Sequence, residues 1–240
     1  MNKDKFISEV ENLDIEITAK KLEQLERYYE LLIEYNKVMN LTGITEKEEV
    51  YLKHFYDSLT IAKIIDLNNE NNLCDLGSGA GFPGIVIKIF YPNLKVILVD
   101  SLNKRINFLN KVIEEVNLDN IIAIHSRIEE YAKENKEKFD VVTARAVAPL
   151  NILLELGINL VKVGKYFVAM KGNIENEQDY INAIKKLDCN LDNIIKFKLP
   201  IEESNRSLIK IIKKKSTSKL FPRKYNEIKK KPLWWFLFIL

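Results

Sequence analysis

A glycine-rich turn follows the first apolar run in the middle of the chain. It extends from Asp75 to Gly84 as DLGSGAGFPG, with glycines at alternate positions from Gly77 to Gly81. Because glycine has no Cβ, this spacing lets the backbone turn tightly and approach a ligand closely. A second carboxylate, Asp100, ends the next apolar run, where it could accept both ribose hydroxyls of an adenosine. Together these features predict a site for an adenosine-containing cofactor.

The choice of cofactor depends on the residues around the glycines. Gly79-x-Gly81-x-x-Gly84 matches the dinucleotide fingerprint, which leaves an NAD-dependent oxidoreductase as an alternative. However, Asp75 would repel a pyrophosphate, and Pro83 would stiffen the turn where that group must approach. S-adenosylmethionine has no phosphate, and its amino group and sulfonium suit a carboxylate at Asp75, directly or through water. We therefore predict S-adenosylmethionine as the cofactor.

The residues available for catalysis restrict the atom that can be methylated. The sulfonium already activates the methyl group, so the enzyme must mainly hold a nucleophile in line with it. Attack on a pyrimidine C5 would need a cysteine nucleophile, but Cys74 lies within the first apolar run and Cys189 late in the chain, neither at an expected cleft position. The Asn/Asp-Pro-Pro-aromatic motif of many exocyclic-amine methyltransferases is absent from residues 143–147. An acceptor such as a purine N7, which has a lone pair and no proton, would need no general base.

The elements around the turn follow a regular alternation. Short apolar runs predict strands at residues 73–76, 96–100, 121–125, 140–144 and 166–170, and helix-like stretches separate them at 84–90, 104–116, 128–134 and 150–160. Beyond residue 174, a helix-like stretch to Leu187 precedes two more predicted strands at 193–199 and 207–213. Continuous apolar strands separated by helices indicate a doubly wound, Rossmann-like α/β sheet.

The first 67 residues have a helical period instead. Apolar residues between Leu22 and Ile33 recur at spacings of three and four, with Thr18 as a cap in front and a turn after Asn40. A second helix is expected from 54 to 65. We therefore expect three parts: an N-terminal helical extension packed on the core (1–67), the methyltransferase domain (68–213) and a basic tail with a short apolar end (214–240).

The charge of the chain is concentrated near its end. The net charge is +3, yet residues 210–231 contain ten Lys or Arg against the single acid Glu227, which leaves −6 on the rest. Such a run is either a solvated, flexible tail or an electrostatic grip on a polyanion, and composition alone does not separate these readings.

Other classes of function find little support in the composition. The two histidines, His54 and His125, have no close cysteine or histidine partner, so no metal site is expected. No apolar run approaches the length of a membrane span, and no secretory leader is recognisable. We expect a cytoplasmic protein with buried, reduced thiols.

Several ordered segments carry a family resemblance. They are residues 36–44, 54–59, 75–84, 100–105, 126–130, 144–146, 171–172 and 221–224. The chain closely resembles, over about residues 28–233, the glucose-inhibited division protein B (RsmG) family of bacterial small-subunit ribosomal RNA guanine-N7 methyltransferases. The resemblance implies methyl transfer from S-adenosylmethionine to N7 of a guanine in 16S ribosomal RNA, with the RNA or the subunit particle as partner. A monomer is expected.

The resemblance and the turn together suggest the site residues. The expected cofactor-binding residues are Asp75, Gly77, Gly79, Phe82, Asp100, Ile128, Glu129 and Arg145, the last also positioning the reactants. The expected RNA-binding residues are Lys53, His54, Arg105, Arg127, Lys171, Lys213, Lys214, Lys215, Arg223 and Lys224. No general base and no metal are expected.

Two departures and one further alternative accompany this interpretation. Tyr35 stands where family members commonly have Trp, and the run from Trp234 to Leu240 does not resemble the family's ending. A non-catalytic RNA-binding or assembly protein on the same fold is the second alternative, and it would bind RNA without methyl transfer.

Overall fold

A seven-stranded sheet forms the centre of the computed structural model, which describes residues 1–173 and 177–233. Its strands are β1 (Asn72–Leu76), β2 (Lys95–Asp100), β3 (Ile121–His125), β4 (Phe139–Arg145), β5 (Val161–Lys171), β6 (Cys189–Lys198) and β7 (Asn205–Lys213). The order is β3-β2-β1-β4-β5-β7-β6, with β1 to β5 parallel and β7 antiparallel to both of its neighbours. The predicted doubly wound α/β sheet is confirmed.

The N-terminal helices cover part of one face of this sheet. Helix α1 is Lys3–Glu11 and helix α2 is Ala19–Met39. As predicted, α2 begins after Thr18, whose hydroxyl accepts a hydrogen bond from the Lys21 amide, and ends at Asn40 in the left-handed conformation. Phe6 and Leu25 are fully buried in the same apolar cluster as Leu98 of β2, so these helices share the core of the sheet.

The segment from residue 47 to 63 overlaps the single helix expected from 54 to 65 but is irregular. It consists of α3 (Lys47–Val50), a π-helix (Tyr51–Tyr56), α4 (Asp57–Leu59) and a 3-10 turn (Thr60–Lys63). The hydroxyls of Ser58 and Thr60 donate to the backbone carbonyls of His54 and Asp57, at 2.5 and 2.6 Å, and such bonds compete with regular helical pairing. The wide π turn brings Lys53, His54 and Asp57 to one place, the carboxyl end of β4.

The remaining helices follow the strands. They are α5 (Gly84–Phe90), α6 (Asn103–Glu115), α7 (Ile128–Glu134), α8 (Leu150–Gly157), α9 (Glu177–Lys186) and α10 (Tyr225–Lys230). Buried residues of α5 and α6 join the cluster that holds the N-terminal helices, while those of α8 join a second cluster on the other face. Both faces of the parallel sheet are therefore covered.

Residues 214–233, which we name the C-terminal segment, fold back onto the protein. Arg223 binds the fully buried Glu155 of α8 through two hydrogen bonds of 2.6 Å, and Ile228 and Leu233 are buried. The segment is thus docked, not a free tail. The run from Trp234 to Leu240, which departs from the family's ending, lies outside the described residues.

Lys213 requires a correction, because it was expected to bind RNA. Its side chain at the end of β7 is fully buried, pairs with Glu137 at 3.3 Å and donates to the Ile158 carbonyl at 3.2 Å. Desolvation by burial lowers its pKa. Lys213 therefore closes the core beside the 3-10 turn Ile158–Leu160 and cannot reach a phosphate.

Candidate functional site

A cavity of about 350 Å³, here named the glycine-loop cavity, opens where β1 to β4 end. The strand order reverses between β1 and β4, and ligands of doubly wound sheets bind at such switch points. One group of lining residues is largely polar: Gly77, Asp100, Ser101, Arg105, Arg127, Ile128 and Glu129. A second group is apolar apart from one hydroxyl: Ala146, Val147, Ala148, Leu156 and Tyr225.

Asp100 is held in a fixed orientation at the edge of this cavity. Its Oδ1 accepts the Leu102 amide at 2.9 Å, and its Oδ2 accepts the Gly79 amide at 2.9 Å and the Arg105 guanidinium at 3.3 Å. A carboxylate offers about four acceptor positions, so one stays open and Arg105 holds another. Asp100 can therefore accept a ligand hydroxyl, and a second one in exchange for Arg105.

The glycines of the turn have different roles. Gly77 has φ +67°, and a Cβ there would lie 2.7 Å from Cγ2 of Val147, which lines the same cavity. Gly79 has φ +59°, and the atom nearest to a Cβ placed there is the carbonyl oxygen of Gly77, at 3.8 Å. Gly77 thus lets the β1 turn approach the β4 loop, while Gly79 contributes its amide to Asp100.

Asp75, expected to serve the cofactor directly or through water, lies beneath the turn and does not line the cavity. The carboxyl is fully buried, its Oδ2 accepts the Gly84 amide at 3.0 Å, and its Oδ1 has no hydrogen-bond partner in the described structure. Burial raises the pKa of Asp75 to about 7, against the opposing effect of the Gly84 amide. Asp75 therefore holds the start of α5 against β1.

The start of α7 contributes backbone donors to the cavity. Arg127 precedes this helix and gives it no side-chain cap, so the first-turn amides, at Ile128 and Glu129, are open to a ligand. The amide donors match the edge of an adenine, and the Asp100 acceptor matches the ribose hydroxyls. The apolar group of lining residues matches the face of the adenine ring. The residues present therefore fit S-adenosylmethionine.

A second cavity of about 310 Å³, named the arginine cavity, shares Ala146 with the first. At its centre the buried Asp57 accepts hydrogen bonds from two guanidinium groups, Arg145 Nη1 at 3.1 Å and Arg206 Nε at 2.9 Å. Arg145 also donates to the Lys53 carbonyl at 3.1 Å. This network joins the π-helix and α4 segment, β4 and β7 across one opening.

His54 lies against the network as a neutral ring. It stacks on Phe82 with 4.4 Å between ring centroids, and its Nδ1 and Nε2 lie 3.4 and 2.8 Å from Arg145 and Thr42 Oγ1. An arginine can only donate, so Nδ1 accepts and Nε2 carries the proton. Burial, followed by the charge of Arg145, lowers the pKa of His54 to about 3. His54 is therefore uncharged at neutral pH and engaged at both nitrogens.

Besides Asp75 and Gly79, two more residues expected at the cofactor do not line the glycine-loop cavity. Arg145 lines the arginine cavity, with its Cζ 5.2 Å from the centroid of the Phe82 ring. Phe82 is buried, packs beside His54 and Tyr28, and lines neither cavity. The structure thus separates these two from Gly77, Asp100, Ile128 and Glu129, which it brings together.

The residues expected to hold RNA fall into three places. Lys53 and Lys171 line the arginine cavity, where Lys53 pairs with Glu49 and Glu202 and Lys171 donates to the Ala148 carbonyl. Arg105 and Arg127 line the glycine-loop cavity. On the C-terminal segment, Lys214, Lys215 and Lys224 are exposed, whereas Arg223 is bound to Glu155.

Sequence reasoning missed three residues of these cavities. Asp57 stands in the quoted segment 54–59, three positions after His54 on a helical stretch, which was a usable signal. Arg206 and Tyr225 lie outside every recognised motif, and only the folded chain places them here.

Other kinds of site have no support in the described ranges 1–173 and 177–233. No cluster of metal-ligating side chains occurs there, and no helix in them is both long and apolar enough to cross a membrane. Cys74 and Cys189 are free and buried, and burial raises the pKa of both thiols. Neither is an accessible nucleophile.

Fold and site define the class of S-adenosylmethionine-dependent methyltransferases, as the prediction from the turn required. Among solved structures with this fold, a SAM-dependent methyltransferase from Aquifex aeolicus has a TM-score of 0.52 at 16% identity, covering 72% of this chain and 97% of its own. The Bacillus subtilis M1A22 tRNA methyltransferase TrmK has a TM-score of 0.52 at 15% identity, covering 67% of both chains.

Sequence similarity is more specific. Residues 21–209 match the family GidB, rRNA small subunit methyltransferase G. The Ribosomal RNA small subunit methyltransferase G of Bacillus subtilis is 48% identical over 239 residues, covering 97% of this chain and 99% of the relative. The Bacillus licheniformis protein of the same name is 47% identical over 237 residues with equal coverage. The chain belongs to this family, which confirms the predicted family and cofactor and disfavours both alternatives.

Proposed function

We propose that the chain transfers the methyl group of S-adenosylmethionine to N7 of a guanine in 16S ribosomal RNA, as a cytoplasmic monomer. Its relatives are named for small-subunit ribosomal RNA. The observation that carries the choice of N7 is that the arginine cavity, which adjoins the cofactor site at Ala146, has its two possible proton acceptors, His54 and Asp57, engaged in hydrogen bonds. The cavity is lined by cations and an aromatic ring, as an anionic, base-bearing RNA strand requires.

The glycine-loop cavity would hold the cofactor with residues from successive strand ends. Asp100 would accept ribose hydroxyls, the α7 amides would read the adenine edge, and Gly77 would leave room beside Val147. When bound, S-adenosylmethionine supplies a methyl group that its sulfonium has already activated. The protein must then place the acceptor in line and keep it there.

The arginine cavity suits an acceptor that loses no proton. Among its described residues, the two side chains that could accept a proton at neutral pH are His54 and Asp57. His54 is engaged at both nitrogens, and Asp57 is paired with Arg145 and Arg206. Guanine N7 attacks through an in-plane lone pair, so a site that orients the base without deprotonating it is sufficient.

A groove beside the arginine cavity offers a path for the flanking RNA. It shares Phe197, Arg206 and Ser207 with that cavity and adds the exposed Lys196 and Lys198. Aromatic rings stack on unpaired bases, and lysines neutralise phosphates. Lys224, which is exposed and precedes Tyr225 of the glycine-loop cavity, would extend this contact.

The test uses small subunits or their RNA with radiolabelled S-adenosylmethionine, followed by digestion and mass identification of the labelled nucleoside. We expect 7-methylguanosine. RNA transcribed with 7-deazaguanosine throughout carries carbon in place of N7 and should accept no label. Label in the deaza RNA, or in another nucleoside, would disprove N7 as the acceptor.

A further inference from the structure

Tyr225 lines the glycine-loop cavity although it stands nearly 80 positions after Ala148, the last of the lining residues from a strand-end loop. It is the first residue of α10, in the C-terminal segment. It joins Leu156 of α8 and the β4 loop residues Ala146, Val147 and Ala148 among the less polar lining residues. The C-terminal segment therefore completes a cavity that β1 to β4 begin.

The position of Tyr225 is set by a buried ion pair. Arg223, two residues earlier, makes a two-bond contact with Glu155, and Glu155 directly precedes Leu156 of the cavity. Glu155 is fully buried, and the same guanidinium donates to the Lys231 carbonyl at 2.9 Å. Ile228 anchors the following turn in the core. These contacts hold both ends of α10 against α8.

We propose that Tyr225 is a cofactor-contacting residue, and that the pairing of Arg223 with Glu155 acts on cofactor affinity by holding Tyr225 in place. Amides and carboxylates on the polar side of the cavity satisfy the edges of an adenosyl group, but its flat faces need apolar or aromatic cover. Ala146, Val147 and Ala148 are small and aliphatic. Tyr225 is the one aromatic residue among the described residues that line the cavity.

The experiment measures S-adenosylhomocysteine binding to the full-length protein by calorimetry. Tyr225→Ala should weaken binding by about fivefold to tenfold, the range for loss of one aromatic contact. Tyr225→Phe keeps the ring and should stay within about twofold of the unmodified protein. Asn226→Ala, an exposed change in the same helix, is the matched control and should have no effect. Unchanged affinity in a folded Tyr225→Ala protein overturns the proposal.

Two further variants keep the test decisive. If Tyr225→Ala does not fold, Tyr225→Leu retains apolar bulk without the ring and should still lose affinity. Arg223→Gln should weaken binding as much as Tyr225→Ala, and the double variant should lose no more than either alone, because both changes remove one contact. Additive losses would show that the ion pair does not act through Tyr225.

The inference rests on the glycine-loop cavity being the cofactor site, and Gly77→Val tests that assumption separately. A branched side chain there would collide with Val147. Loss of binding with Gly77→Val but not with Tyr225→Ala would reject the role of Tyr225 alone. No loss with either variant would reject the cavity itself.

Discussion

The two cavities at the carboxyl edge of the sheet are built in opposite ways. The glycine-loop cavity consists mainly of short loops that follow β1, β2, β3 and β4 directly, so neighbouring strands bring its parts together. The arginine cavity is held by contacts between distant segments: Asp57 binds Arg145, 88 positions away, and Arg206, 149 positions away. One site is shaped by backbone turns, the other by long-range charge pairing.

The difference has a functional consequence. A backbone-shaped site is specified by residues such as Gly77, whose substitution changes local shape. A charge-paired site is specified by oppositely charged side chains from different segments. Removing one of them leaves the charge of its partner buried and uncompensated. We therefore expect substitutions in the arginine cavity to affect the methyl-transfer step, and those in the glycine-loop cavity to affect cofactor affinity.

The largest expected effect is that of Arg145→Ala. Asp57 loses one of its two cations and His54 loses the donor at Nδ1, so the acceptor base is no longer positioned. The single-turnover rate should fall by roughly 100-fold, as for removal of a preorganised charge, while S-adenosylhomocysteine affinity changes by less than about threefold. Quench-flow and calorimetry measure the two quantities.

The matched control for Arg145→Ala is Lys162→Ala. Lys162 pairs with the buried Asp140 at 2.7 Å, at the amino end of the sheet. The Lys162→Ala substitution also removes an ion pair to a buried aspartate, but far from the cavities. It should leave the single-turnover rate unchanged. A large loss of cofactor affinity in Arg145→Ala, with the rate retained, would reverse the assignment of the two cavities.

A smaller loss is expected from Gly77→Ala. The new Cβ meets Val147 Cγ2 at 2.7 Å, and the positive φ adds strain. Cofactor affinity should fall about tenfold, equivalent to about 1.4 kcal/mol. Val147→Ala in the same chain should restore part of it, because the colliding methyl groups are gone. Calorimetry of the single and double variants measures the recovery.

Gly164→Ala is the control for backbone strain alone. Gly164 has φ +83°, and nothing lies within 4 Å of a Cβ placed there. This variant should lower the melting temperature without changing cofactor affinity. Should Val147→Ala bring no recovery, the Gly77 effect is one of strain and not of cavity shape.

A weaker effect is expected from the exposed lysines of the C-terminal segment. Changing Lys214, Lys215 and Lys224 to Gln removes three phosphate partners. The slope of log RNA affinity against log salt should therefore flatten by about 2, at roughly 0.7 per contact. Binding titrations over a range of salt measure the slope, and cofactor affinity should not change.

The corresponding control changes Lys20, Lys95 and Lys138, which are also exposed. Lys95 begins β2 and Lys138 precedes β4, so both lie at the edge opposite the cavities, where Lys214 and Lys215 also follow the end of the antiparallel strand β7. An equal flattening in both triple variants would show that the C-terminal segment is only a solvated basic surface.

The smallest effects are expected from changes in pH. Burial raises the pKa of Asp75 to about 7, above its unfolded value, so its contribution to folding stability is present below about pH 4 and lost as pH rises to 7. Urea unfolding of Asp75→Asn should lack this loss.

The methyl-transfer rate at saturating cofactor should be flat from pH 6 to 9, because the pKa of His54 is about 3. A rise in that rate through neutral pH would contradict transfer without a general base.

Much of the glycine-loop cavity could be predicted because its signals are local. Gly77, Asp100, Ile128 and Glu129 lie at or shortly after the ends of predicted strands, and the sheet order brings those strand ends together. Asp75 belongs to the same turn but is buried beneath it, and the motif does not reveal which face of the turn a side chain takes.

The amino-acid sequence by itself determined the strand and helix periodicity, the cofactor turn and the family. These properties depend on residues close in the chain or on ordered motifs. Tertiary structure alone decided that Lys213 closes the core, that Arg145 belongs with Asp57 and Arg206, and that Tyr225 reaches the cofactor cavity. Burial and long-range ion pairing depend on which surfaces meet, and no local pattern of residue types encodes that meeting.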